Sequence, residues 1–70
     1  MTPLLPGITD REEAVVLLIA DGLSHTEIAT RLGITRWTVK AHRDNARRKL
    51  EARTTEHLVA IVVRTRVAAT

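Results

Sequence analysis

The stretch that decides the fold is Ala29-Thr-Arg-Leu-Gly-Ile-Thr-Arg-Trp-Thr-Val39. Its small residue, glycine and β-branched residue are spaced as a helix-turn-helix requires. Ala29 is small enough for a second helix to approach closely, Gly33 can take the left-handed conformation that ends the first helix, and Val39 can plug the second helix into a shared core. The reading places a helix up to Leu32, a turn at Gly33, and a second helix from Arg36.

Outward from that stretch, each expected helix carries its own start signal. Thr9-Asp-Arg-Glu12 and Ser24-His-Thr-Glu27 both have the form of a capping box, in which hydroxyl and glutamate satisfy each other's orphan backbone donors. Thr35 and Thr54 are expected N-caps for two further helices. The chain therefore reads as all-α, with four helices over roughly 10–21, 25–32, 36–51 and 55–67. Gly22 and Gly33 are expected to stop the first two. Residues 1–8, with Pro3, Pro6 and Gly7, read as a flexible lead-in, and 9–70 as one domain.

Seventy residues allow only a small core. With no cysteine, neither a disulfide nor a thiolate metal site can reinforce it, so oligomerisation is the expected support. The longest apolar runs, Ala14 to Ala20 and Leu58 to Val63, are too short to span a bilayer, and no signal-like segment is visible. The expected setting is cytoplasmic, without a membrane partner. Net charge is +3, but it is unevenly spread. Residues 1–30 hold one basic side chain against five acidic, whereas 31–53 hold eight basic against two acidic. Positive charge thus collects on the second helix of the motif, the arrangement suited to the DNA major groove.

At 100° per residue, Val39, Ala46 and Leu50 fall on the inward side of that helix, with His42 and Arg43 at its margins. Trp37, Lys40, Ala41 and Asp44 fall opposite, with Arg36 nearby, and this is the expected base-reading face. Arg36 and Lys40 can donate to guanine O6 and N7, Ala41 can touch a thymine methyl, and Asp44 can accept from cytosine N4. Asp44 also reads as an intrahelical partner of Arg48. Trp37 reads two ways, as a groove or sugar contact or as a cover over Ile34 and Leu32. Ser24, Thr26, Thr35, Thr38, Arg43, Arg47 and Lys49 are the expected phosphate contacts.

His25, His42 and His57 fall on three different helices without carboxylates at ligand spacing, so no metal site is expected. No phosphate loop, activated nucleophile, cofactor site or small-molecule pocket is signalled, and enzymatic activity is not expected. In helix 4, Leu58, Ile61 and Val62 form one apolar stripe, and Val59, Val63 and Val67 form another. One of the two should meet a second copy of the chain.

From Ile8 to about Val62 the sequence resembles the LuxR-type (GerE-like) helix-turn-helix domain. The resemblance rests on Ile8-Thr-Asp-Arg-Glu12, Leu18-Ile-Ala-Asp-Gly-Leu-Ser24, Glu27-Ile-Ala29, Leu32-Gly-Ile-Thr35, Thr38-Val-Lys-Ala-His42 and Arg48-Lys-Leu50. It implies a transcription regulator that binds double-stranded DNA as a homodimer through its fourth helix, with helix 3 in the major groove; RNA polymerase is a further expected partner. It also implies base contacts at Lys40, Ala41 and Asp44, and phosphate contacts at Thr26, Thr38 and Lys49. By the same analogy Leu58 and Val62 face inward, with Val59, Val63 and Val67 towards the dimer partner. The sequence departs from the family pattern at Asp10, Leu17, Ala46, Glu51 and Thr55. Ala46 implies a thinner core, Glu51 puts the turn after helix 3 in question, and Leu17 leaves helix 1 with more apolar surface than one face can bury. The chain corresponds either to a stand-alone regulator or to the C-terminal domain of a larger one. Two other readings are a sigma-factor-like promoter-reading domain and a protein-interaction adaptor, an anti-repressor or polymerase-binding module, using apolar faces of helices 1 and 4.

Overall fold

The computed structural model describes residues 7–69. They form four helices, α1 (Asp10–Ala20), α2 (His25–Leu32), α3 (Arg36–Lys49) and α4 (Thr55–Ala69). All four start where the sequence signals them. The Thr9 and Ser24 hydroxyls accept from the Glu12 and Glu27 backbone N–H groups, and each glutamate accepts in return from its cap's N–H, at 2.8–3.2 Å. Thr35 accepts from the Thr38 N–H at 3.1 Å and Thr54 from the His57 N–H at 3.0 Å.

Three of the four ends differ from expectation by one or two residues. α1 stops at Ala20 because the Gly22 and Leu23 N–H groups turn back to the Ile19 and Leu18 carbonyls at 2.9 and 3.1 Å. α2 ends at Leu32 as expected, capped by Gly33, left-handed at φ 68° as the motif demands. α4 runs two residues past the expected end, because Ala68 and Ala69 offer nothing to stop it. α3 ends at Lys49 rather than at Glu51: the Glu51 and Ala52 N–H groups bond back to Arg48 and Arg47 at 3.1 and 2.9 Å, which buries Ala52 in the core.

The turn after α3 therefore has ordinary geometry despite lacking glycine, with Glu51 held at φ 55°. A side chain in the left-handed region is strained by roughly 1–2 kcal/mol. Glu51→Gly is expected to raise stability by roughly 0.5–1 kcal/mol, the relieved strain less the entropy glycine adds to the unfolded chain. A urea midpoint below that of the wild type would refute this.

Two apolar clusters hold the helices together, and α1 serves both. Val15 joins Ile28, Ala29 and Val39 beneath the helix-turn-helix, with Leu18, Ile19, Leu23, Leu32 and Ile34 packed around them. Val16 joins Ile8, Ala46, Ala52, Leu58 and Val62, flanked by Leu17, Leu50 and Ile61. Successive helical residues diverge by 100°, so a helix with neighbours on several sides can bury a continuous apolar run. This corrects the expectation for α1: Leu17 packs against the second cluster, and every residue from Val15 to Ile19 is buried or half-buried. Ile8, expected in the lead-in, is only 4 % exposed and belongs to the core. Gly7 is exposed, and residues 1–6 lie outside the described residues. Beside the small side chain of Ala46 lies an apolar cavity of about 10 Å³, bounded in part by Ile8, Val16, Leu50 and Val62.

Candidate nucleic-acid interface

α3 is positioned from both ends. Val39 locks its first half onto α1 and α2, and Ala46 locks its second half beneath α4. The face turned away from both clusters carries Arg36, Trp37, Lys40 and Ala41, all exposed. Trp37 is 81 % exposed, so it does not cover Ile34 or Leu32. Arg36, Trp37 and Lys40 line an open groove of about 350 Å³. Its remaining wall is His25, from the start of α2, a residue that the helical pattern of α3 could not have assigned to this site.

Asp44 is half-buried and differently partnered from the sequence expectation. Arg48 bonds to Asn45. The carboxylate is gripped instead by Arg43, whose Nε and Nη2 donate to Asp44 Oδ1 at 3.1 and 2.9 Å. Arg43 reaches back across the motif as well, its Nη1 lying 3.3 Å from His25 Nε2. The Arg43 hydrogen bond holds the Asp44 carboxyl below its ordinary value; partial burial opposes this, and the charges of Arg43, Arg47 and Lys40 reinforce it. Burial pushes the His25 imidazole below its ordinary value, as do the cations Arg43, Arg36 and Lys40, with Asp44 opposing.

The expected phosphate contacts divide into two groups. Thr26 is exposed, while the hydroxyls of Ser24 and Thr35 serve as helix caps and Thr38 shares a 3.0 Å bond with Thr35. Among the cations, Arg47 donates to the Arg53 carbonyl at 3.2 Å, and Arg43 is engaged by Asp44 and His25. Lys49 Nζ lies 2.7 Å from Glu12 Oε1, pairing with a carboxylate whose side chain is 5 % exposed. Burial alone would push the Glu12 carboxyl up, but the Lys49 bond and charge, with the Thr9 bonds, bring it below its ordinary value. The only cation position that the family resemblance implies for phosphate is thus built into the fold.

On α4, Leu58 and Val62 are buried and Ile61 half-buried. Val59 is half-buried, while Val63 and Val67 are 42 % and 70 % exposed. No helix of the structure is long and apolar enough to cross a membrane, and among the described residues no group of three or more His, Cys, Asp or Glu side chains is disposed to hold a metal ion.

Residues 6–62 match the family of bacterial regulatory proteins described as the luxR family. Among similar proteins, nodulation protein W of Bradyrhizobium diazoefficiens is 36 % identical over 56 residues, covering 80 % of this chain and 25 % of that protein. The uncharacterized response regulatory protein YgeK of Escherichia coli strain K12 is 39 % identical over 57 residues, 81 % of this chain and 39 % of that protein. The transcriptional regulatory protein MctR of Rhizobium johnstonii is 44 % identical over 52 residues, 74 % of this chain and 24 % of that protein. The chain therefore spans between about a quarter and two fifths of the length of these relatives. A four-helix domain with this helix-turn-helix and this match over most of its length belongs to the luxR family of bacterial regulatory proteins.

Proposed function

We propose that this domain binds duplex DNA sequence-selectively as part of a transcription regulator, with α3 in the major groove and a second copy docked through α4. The observation that carries this reading is the exposed face of α3, where an 81 % exposed tryptophan stands among Arg36, Lys40 and Ala41 at the start of the motif's second helix. Base edges fall to Arg36, Trp37, Lys40, Ala41 and Asp44, and phosphates to Ser24, Thr26, Thr35, Thr38 and Arg47. Arg43 and Lys49 belong to the same phosphate set, although each already pairs with a carboxylate of the fold, Asp44 and Glu12. Gel-shift titration of random duplex at two salt concentrations, followed by sequencing of the bound pool, tests the reading. Affinity should weaken with salt through counterion release, and one motif should enrich. Salt-independent binding or an unenriched pool would overturn it.

The α4 stripe of Val59, Val63 and Val67 supports pairing about a two-fold axis, which sets the recognition helices about one DNA turn apart. The enriched motif should then be an inverted repeat with half-site centres roughly 10 bp apart. Val63→Asp places a charge in that seam. The variant should keep its fold, since Val63 is already 42 % exposed, and lose cooperative binding to the repeat while retaining single half-sites. Equal occupancy of the full repeat by wild type and variant, with wild type monomeric on DNA in sedimentation, would exclude the dimer.

A further inference from the structure

Arg43 connects two parts of the motif that the function treats separately. Its guanidinium holds Asp44 Oδ1 through Nε and Nη2, and its remaining branch lies 3.3 Å from His25 Nε2 on α2. Arginine only donates, so His25 Nε2 must accept, and the neutral ring carries its proton on Nδ1. Two half-buried side chains on α3 are thereby fixed by an acceptor on the neighbouring helix. Both Arg43 bonds to Asp44 converge on one oxygen, which leaves the lone pairs of Oδ2 for an outside donor.

We propose that His25 is a positioning residue of the base-reading face, accepting from Arg43 so that the Asp44 carboxylate is held in one orientation and base preference at its position is set from α2. The proposal rests on the base-facing role given to Asp44 above. An aspartate that reads an amino group discriminates only while its oxygens stay in place; released, it sweeps several positions and repels phosphate equally on every sequence. Protonating His25 removes the acceptor and sets a cation beside Arg36, Lys40 and Arg43, with Asp44 as the opposing charge. Selectivity should therefore fall on acidification.

The test compares the intact chain with His25→Ala and His25→Gln, the glutamine supplying a carbonyl acceptor that does not titrate. Bound-pool sequencing at about pH 8 and about pH 5 reads base preference across the histidine range. At the higher pH, His25→Ala should lose roughly five- to tenfold of the preference at the Asp44 base pair, measured as the ratio of specific to random binding, the scale of one degraded base contact. Wild type should lose the same preference at the lower pH. His25→Gln should keep it at both. Nitrogen NMR of the free protein gives a readout independent of DNA: the His25 ring should show the Nδ1–H tautomer, and the Arg43 Nε–H signal should be protected in wild type and His25→Gln but not in His25→Ala. Unchanged base preference in His25→Ala, or an Nε2–H tautomer, overturns the proposal. A protected Arg43 signal in a protein whose bound pool shows no motif overturns the DNA-reading role and leaves the clamp as a structural contact.

Discussion

Lys49→Ala is expected to lower folding stability by about 2–3 kcal/mol at neutral pH, because it strands the Glu12 carboxylate without its cation. Breaking a fully buried pair typically costs about 3–5 kcal/mol, and the lower figure reflects a Lys49 side chain that is 40 % exposed and partly solvated. In a domain whose total stability is of the order of 4–10 kcal/mol, that is a large fraction. The pH dependence identifies the cause. In wild type the Glu12 carboxyl lies below its ordinary value when folded. The unfolded state therefore binds the proton first, and the contribution is complete above the ordinary carboxylate value and disappears as pH falls through the folded value. In Lys49→Ala the Lys49 bond and charge that lower the Glu12 pKa are gone, while burial still opposes the charged form. The gap between wild type and variant should narrow as pH is lowered through the carboxylate range. Urea unfolding at a series of pH values measures it, and a gap that stays constant would show that the loss is not electrostatic. The base preference of the folded fraction should be that of wild type, since Lys49 serves the core.

Lys40→Ala should behave in the opposite way. Lys40 is exposed and lines the groove beside Arg36 and Trp37, so its removal should leave the unfolding midpoint within experimental error of wild type. On DNA it should weaken the preferred site by about 1–3 kcal/mol and relax preference at one base pair. Part of the loss will be common to all sequences, because any cation near the duplex also contributes counterion release. The diagnostic quantity is therefore the ratio of specific to random binding at fixed salt. If that ratio and the enriched motif are unchanged in Lys40→Ala, the exposed face of α3 does not read bases. Together the two variants separate the lysine that supports the domain from the one that faces outward.

Much of this fold is legible in the chain because the signals are local. Thr9 with Glu12 and Ser24 with Glu27 close over three residues, and Gly33 has the conformational freedom its turn needs. The exposed face of α3 is equally legible, since helical periodicity alone sets Trp37, Lys40 and Ala41 opposite Val39 and Ala46, with Arg36 nearby. Periodicity also separates the two stripes of α4, although only packing against α1 and α3 buries Leu58 and Val62 and leaves Val63 and Val67 outward.

Other features were decided by tertiary structure. A helical wheel for α1 shows an apolar excess at Leu17, and only the placement of α1 between two clusters accounts for it. Glu51 departs from the usual residue of its turn, yet burial of Ala52 and two backbone bonds outweigh its strain. The fate of the basic side chains was hidden most completely. Arg43 and Lys49 look in sequence like any cations on a basic helix, but their partners His25 and Glu12 lie 18 and 37 positions away. Helix starts and the polar face of α3 are local properties, because caps and periodicity act within a turn or two. Which basic side chains pair within the fold, as Lys49 does with Glu12, depends on distances between helices that no local pattern encodes.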